Sequence, residues 1–212
     1  MKAALDRTLV AVLALVLPAL GSCRSGGVLP EPIRVSRAHV EAAPRAPELA
    51  PFLPWAADEP ELIIVDKMSR TLFLYQRGVA VRRYPVVLGR AAGRKVFEGD
   101  RRTPSGLYQI SWKRPHPKYD RFMLLSYPND RDRANYLRAV ERGQVPRADT
   151  PGRVRGTGGS VGIHGSDKED LNRVGINWTY GCVSLANRDV EELYRLVRPG
   201  VVVLIHDDQQ PG

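Results

Sequence analysis

The sequence contains few of the residues that disulfide, metal and nucleotide sites require. Only two cysteines occur among 212 residues, Cys23 and Cys182, and they form no Cys-x-x-Cys pair of the kind that binds zinc. The sequence has no glycine-rich phosphate-binding loop and no internal repeat. Aromatic residues make up 7% of the chain and do not alternate with basic ones as in a nucleic-acid-binding surface. We therefore expect no metal, no cofactor and no nucleic-acid partner.

The first 22 residues have the pattern of an export signal. Lys2 and Arg7 precede an apolar run over residues 9–20, which is shorter than the roughly 20 apolar residues of a membrane-spanning helix. The letters L-G-S-C that end at Cys23 resemble a bacterial lipobox, and an ordinary secretory signal cut near Ser22 is the alternative. We favour lipidation at Cys23. Since Arg24 follows it, the resemblance implies anchoring to the outer membrane, on its periplasmic side.

Three further segments follow the signal. Residues 23–58 are rich in Pro, Ala and Arg without helical or strand periodicity, which predicts an extended tether. Residues 59–207 are expected to form the folded domain, and residues 208–212 a short tail. Apolar runs predict strands at 62–65, 71–76, 79–88, 107–112, 121–127 and 201–205. Helices are predicted over 130–142 and from Asn187, as cap, to Pro199. The expected fold is mainly β, a sandwich or partial barrel with one or two peripheral helices.

A histidine and a cysteine stand out in the second half of the chain. His164 ends a short apolar run and is followed by a glycine, while Cys182 lies in the turn T-Y-G-C-V. Thiol catalysis needs a base and N–H donors for an oxyanion, which His164 and the backbone around Gly181 can supply. An inert buried cysteine and a structural histidine are the alternatives, and the spacing alone does not decide between the two interpretations.

The surrounding motifs resemble those of the L,D-transpeptidase (YkuD-type) catalytic domains. They are I-H-G-S around His164 and T-Y-G-C-V-S-L-A-N-R-D around Cys182, eighteen positions further on. Upstream of both lie E-G-D-R-R-T-P-S-G-L-Y and L-S-Y-P-N. The letters W-T-Y-G-C are closest to a murein-active subgroup. The resemblance implies that Cys182 attacks a peptidoglycan stem peptide at the L-centre of a diamino acid and forms a thioester. It further implies His164 as base, with the Gly165 carbonyl orienting its ring.

The resemblance also assigns supporting residues around the nucleophile. Backbone N–H groups of Tyr180, Gly181 and Cys182 would bind the oxyanion, and Thr179 would brace the loop. Tyr180 stands where the family usually has a second histidine, and Ser184 stands where many members have arginine. Both departures concern substrate or acceptor binding, so hydrolysis of peptidoglycan-linked peptides is expected beside transpeptidation.

The remaining expectations concern partners and rival functions. A formal charge of +9 suits an anionic polymer such as the cell wall, although solubility explains it equally well. We expect a monomer that acts on stem peptides. The alternative from another class is a non-catalytic, peptidoglycan-binding outer-membrane lipoprotein, which would have no need of a thiol. Papain-like hydrolases place Cys before His in the chain, and sortases place His much further upstream, so both fit less well.

Overall fold

An antiparallel meander of three strands begins the folded domain in the computed structural model, which describes residues 59–147 and 155–207. The strands are β1 (Glu61–Asp66), β2 (Thr71–Gln76) and β3 (Val79–Pro85). Arg77 and Gly78 join β2 to β3 with φ angles of 50° and 76°. Two consecutive positive φ angles match the twist of a tight hairpin. The strand predicted over 79–88 ends at Pro85, three residues earlier than expected.

The other strands extend this meander into one sheet. They are β4 (Gly106–His116), β5 (Asp120–Leu125), β6 (Gly162–His164), β7 (Val183–Ser184) and β8 (Val202–His206), and the strand order is β3-β2-β1-β8-β4-β5-β6-β7. β8 runs parallel to β1, and β7 runs parallel to β6. β4 pairs with β8 through its first residues and with β5 through its later ones, with a register shift between Ile110 and Trp112. A bulge of this kind bends a strand.

The two edges of the sheet meet through the segment that follows β3. Val87 and Ser184 exchange two backbone hydrogen bonds of 2.9 Å, and Thr179 bonds to Leu88 and Arg90 at 3.1 Å each. The sheet therefore curls into a partial barrel. Its interior is filled by fully buried apolar residues that include Ile63, Leu74, Ile110, Met123, Ile163, Val183, Leu185, Val203 and Ile205. The prediction of a mainly β partial barrel is confirmed.

Three helices accompany the sheet in the described residues: α1 (Asp130–Glu141), α2 (Glu169–Arg173) and α3 (Asn187–Leu196). α1 begins at a capping box formed by Asn129 and Asp132, but its apolar Leu137 and Val140 are exposed. α3 packs Val190 and Leu193 into the core. The sequence analysis did not predict α2, which lies between His164 and Cys182.

The prediction for the start of α3 is wrong in one detail. Asn187 is the first helical residue, and Ala186 is the cap without a side-chain bond. The Asn187 side chain instead accepts a hydrogen bond from the Ser166 N–H at 2.7 Å and donates one to the Ser166 carbonyl at 3.0 Å. It therefore fixes the chain just after His164, a long-range contact that local sequence rules do not describe.

The predicted signal, tether, tail and Cys23 lie outside the described residues. Within the described ranges, no helix has the length and apolar character needed to cross a membrane.

Candidate active site

His164 and Cys182 are brought together by the short parallel pair of β6 and β7. His164 ends β6 opposite Ser184 of β7, and Ile163 lies opposite Val183. Cys182 immediately precedes β7. Because side chains alternate along a strand, Cys182 and Ser184 point to the same face as His164. A nucleophile and a base from residues eighteen positions apart therefore share one side of the strand pair.

The His164 ring has a defined orientation. It is 2% exposed, and its Nδ1 is hydrogen-bonded to the carbonyl oxygen of Gly165. A carbonyl can only accept, so Nδ1 carries the proton and Nε2 has the free lone pair. Burial lowers the pKa of His164 to about 4, with a smaller lowering from His116, while the bond to Gly165 acts in the opposite direction. The ring is therefore neutral at neutral pH and can accept a proton at Nε2.

Aromatic side chains enclose the His164 ring. The Phe122 ring stacks on it with centroids 5.7 Å apart and planes at 10°, and the Tyr119 ring centroid lies 4.5 Å away. Trp178 contacts it edge-on at 6.0 Å. These rings exclude water from the imidazole, and this is the physical cause of its lowered pKa.

A buried amide holds the Trp178 ring in place. Asn172 accepts a hydrogen bond from the indole Nε1 at 2.7 Å and donates to Ser184 Oγ at 3.0 Å and to the Leu185 carbonyl at 2.6 Å. Ser184 is fully buried. The position where many family members have arginine is therefore a neutral internal contact here. Asn172 could not be recognised from the sequence, because nothing in its local pattern distinguishes it from other polar loop residues.

Gly165 is required by close packing. A Cβ at this position would lie 2.4 Å from Asn187 Oδ1 and 2.9 Å from Val190 Cγ1. Its N–H donates to the Tyr119 carbonyl at 3.0 Å. The carbonyl that orients His164 is thus held by β5, α3 and the turn between β4 and β5.

The turn that carries Cys182 depends on Thr179 and Gly181. Thr179 Oγ1 donates to the Cys182 carbonyl at 2.8 Å and accepts from the Gly181 N–H at 3.1 Å. Gly181 has φ of 133°, and a Cβ there would lie 2.7 Å from the Arg102 carbonyl oxygen. Within the described residues, the N–H groups of Tyr180 and Cys182 form no backbone or side-chain bond. They remain available as donors, whereas the Gly181 N–H is engaged.

The Cys182 thiol is held in its neutral form. Its Sγ donates to the Ser160 carbonyl at 3.6 Å, and the residue stays partly accessible. Burial raises the pKa of the thiol, and a backbone hydrogen bond from Gly162 and the charge of Lys95 lower it by smaller amounts. Since the pKa of His164 is lowered and that of Cys182 is raised, both side chains are neutral at rest, as imidazole and thiol.

The loop of residues 94–103 packs against this turn and contains a buried ion pair. Lys95 Nζ lies 2.9 Å from Asp100 Oδ1, and both side chains are at most 4% exposed. Asp100 also accepts from the backbone N–H groups of Val96, Phe97 and Arg102. The motif E-G-D-R-R-T-P-S-G, seen in the sequence without an assigned role, thus contains the carboxylate that organises this loop.

An open cavity of about 490 Å³ is lined by residues that include His116, Lys118, Arg121, Ser166 and Asn187. Neither His164 nor Cys182 lines it. No group of His, Cys, Asp and Glu within residues 59–147 and 155–207 is arranged to hold a metal ion.

Comparison with solved structures finds several proteins that are similar to this chain. The helical cell shape determining protein Pgp2 from Campylobacter jejuni is 23% identical, with a TM-score of 0.51 over 71% of this chain and 48% of its own. A lysine-to-alanine mutant of Pgp2 is 24% identical, with a TM-score of 0.50 over 72% of this chain and 49% of its own. A cysteine-to-serine mutant of an Enterococcus faecium L,D-transpeptidase is 17% identical, with a TM-score of 0.45 over 70% of this chain and 50% of its own. No curated protein matches the chain.

The chain spans about half the length of these solved chains, and at such identities the likeness to Pgp2 shows a common fold. A family model provides the stronger evidence. The model of the L,D-transpeptidase catalytic domain, YkuD, matches residues 60–205, which run from the start of β1 to the last-but-one residue of β8 and include both His164 and Cys182. The resemblance noted in the sequence is therefore confirmed, and the chain belongs to the YkuD family of L,D-transpeptidase catalytic domains.

Proposed function

We propose that the protein is a cysteine acyltransferase that acts on peptidoglycan stem peptides through a thioester at Cys182. The observation that carries this proposal is the placement of Cys182 beside a buried, neutral His164 whose Nδ1 proton is held by the Gly165 carbonyl. That arrangement leaves Nε2 as the acceptor for the thiol proton. A carbonyl takes the orienting role that a carboxylate has in serine-protease triads.

The reaction proceeds in two balanced steps. Cys182 Sγ attacks the carbonyl at the L-centre of a diamino acid, and its proton passes to His164 Nε2. The C–N bond of the substrate breaks, the C–S bond forms, and His164 returns the proton to the leaving amine. Because both groups are neutral at rest, proton transfer accompanies attack. The N–H groups of Tyr180 and Cys182 donate to the oxyanion, and Thr179 keeps the turn in position.

The second step releases the acyl group to an amine or to water. Tyr180 is 66% exposed at the mouth of the site, and Ser184 is buried in contact with Asn172. The side chains at these two positions therefore offer no imidazole and no guanidinium to hold an acceptor amine. Acceptor positioning contributes much of the rate of transfer. We propose that hydrolysis equals or exceeds cross-link formation, as in a murein L,D-endopeptidase.

A location outside the cytoplasmic membrane follows from a peptidoglycan substrate. Lipid anchoring through Cys23 to the outer membrane is part of the same proposal, supported by the lipobox-like letters before that residue.

Mass spectrometry of the mature protein tests the chemistry. After incubation with a carbapenem or a tetrapeptide muropeptide, the wild type should gain one acyl adduct, and Cys182→Ala should gain none. Cys182→Ser should turn over muropeptides about 1,000-fold more slowly or worse while keeping the wild-type circular dichroism spectrum. Full turnover by Cys182→Ala would refute the proposal.

A product analysis separates the two fates of the acyl-enzyme. The protein is given a tetrapeptide donor, excess amine acceptor and a peptide-linked muropeptide. Predominant cross-linked dimers with the linked substrate untouched would contradict the hydrolase assignment and leave a transpeptidase.

A further inference from the structure

Three chain segments lie side by side next to the nucleophile. Gly89 bridges Thr179 and Ala91 bridges Arg102, both in parallel. The Ala91 N–H donates to the Arg101 carbonyl at 3.0 Å. Gly89 permits the contact, since a Cβ there would lie 2.3 Å from that carbonyl oxygen. The segments around residues 90, 101 and 180 are therefore held in fixed register by backbone bonds.

This register presents three side chains together at the surface: Arg90, Arg101 and Tyr180, which we name the arginine–tyrosine cluster. Gly89 and Thr179 are buried, whereas all three cluster residues are exposed. The guanidinium carbon of Arg90 lies 5.4 Å from the centre of the Tyr180 ring, and that of Arg101 lies 5.9 Å from it. Arg90 Nε also donates to the Trp178 carbonyl at 3.0 Å, which limits its movement.

The cluster concentrates positive charge at the surface. Among the residues that the structure describes, neither Arg90 nor Arg101 forms an ion pair with a carboxylate. Two cations on one ring repel each other, and an anion between them removes that repulsion. A guanidinium that packs against an aromatic ring keeps N–H groups free for a carboxylate, with which it can form paired hydrogen bonds.

We propose that the arginine–tyrosine cluster binds a free carboxylate of the peptide that acylates Cys182. The inference rests on the proposed function, because it assigns the charged group of that substrate. Tyr180 is two positions from Cys182 in the chain, and each residue of an extended peptide spans about 3.5 Å. A carboxylate one or two substrate residues from the reacting carbonyl is therefore separated from it by a length similar to that between Tyr180 and Cys182. Two carboxylates have this chemistry: the C-terminal one on the leaving residue, and the one on the side chain of a diamino acid.

Removal of charge from enzyme and substrate together tests the proposal. Donor peptides are prepared with both carboxylates free, with the terminal one amidated, and with the side-chain one amidated. Binding to Cys182→Ala is measured by calorimetry, and acylation of protein with intact Cys182 by mass spectrometry. Each measurement is repeated with Arg90→Gln, with Arg101→Gln and with the double variant. The control is Arg77→Gln, an exposed arginine in the β2–β3 turn at the opposite end of β3.

The expected result is a specific loss of discrimination. Each cluster substitution should weaken binding of the free-carboxylate peptide about tenfold, and Arg77→Gln should have no effect. Amidation of the recognised carboxylate should weaken binding to the wild type by the same factor. Amidation and a cluster substitution together should weaken binding little more than either alone. The amidated peptide that loses affinity identifies which carboxylate is bound. A purely structural role would weaken all three peptides equally.

Two outcomes separate this inference from the proposed function. If the wild type binds free and amidated peptides equally, the cluster is not a carboxylate site, whatever the acylation result. If binding discriminates as expected but no thioester forms, the acyl-enzyme chemistry fails and the carboxylate site remains.

Discussion

The buried histidine should make the domain lose stability in acid in a way that can be measured. The pKa of His164 is lowered from 6.5 to about 4, mainly by burial. Above pH 6.5 the ring is neutral in both folded and unfolded chains, so its contribution to stability is fully present. As the pH falls from 6.5 to about 4, the unfolded chain binds a proton that the folded chain does not. The free energy of unfolding should therefore fall by roughly 3 kcal/mol over that interval.

Urea unfolding of the mature protein and of His164→Gln, from about pH 7.5 to about pH 4, isolates this contribution. Carboxylates contribute equally to both proteins, so the difference between their pH profiles reports the histidine. The wild type should lose about 3 kcal/mol more than His164→Gln between pH 7 and pH 4.

The quantity compared is the change in the free energy of unfolding with pH, and not its absolute value. The comparison therefore holds even if His164→Gln is less stable than the wild type at every pH. Parallel profiles for the wild type and His164→Gln would show that the ring is not held neutral by burial. They would also remove the basis for a neutral thiol–imidazole resting state.

Three further perturbations test other parts of the site. Lys95→Met should slow alkylation of Cys182 by iodoacetamide near neutral pH, because the Lys95 charge lowers the pKa of the thiol. The control is Lys67→Met, which also removes a buried lysine that bonds to the segment around residues 93–103 and should leave the rate unchanged. Equal slowing by both variants would contradict the electrostatic explanation. Gly181→Ala should lower stability by about 1–3 kcal/mol and impair carbapenem acylation, since φ is 133° there; unchanged melting and labelling would be inconsistent with this. Cys23→Ser should release the protein from bacterial membranes, measured by fractionation, and undiminished retention would contradict lipidation.

The sequence predicted the residues of the candidate site and most of the sheet. Strand periodicity is local, so the runs that became β1, β2, β4, β5 and β8 could be recognised from a few residues each. His164 and Cys182 were identified by their motifs, and Gly165 and Gly181 by their adjacency to them. The family itself followed from several motifs in the same order, and the match over residues 60–205 confirms it.

Tertiary structure decided what surrounds those residues. The low pKa of His164 arises from Tyr119, Phe122 and Trp178, whose rings come from two separate parts of the chain. Asn187 looked like a helix cap, but its side chain bonds to Ser166, because a partner distant in sequence replaced the local one. Leu137 and Val140 of α1 are exposed, because no element of the sheet covers that side of the helix in the described residues.

The same distinction explains the arginine–tyrosine cluster. Arg90 and Tyr180 are ninety positions apart, and nothing in either segment specifies the other. They meet because the segment after β3 closes the curled sheet against the Cys182 turn, through backbone bonds in which neither side chain takes part. The sequence alone therefore predicted which residues carry the chemistry, while the closure of the sheet decided which charges lie next to the Cys182 turn.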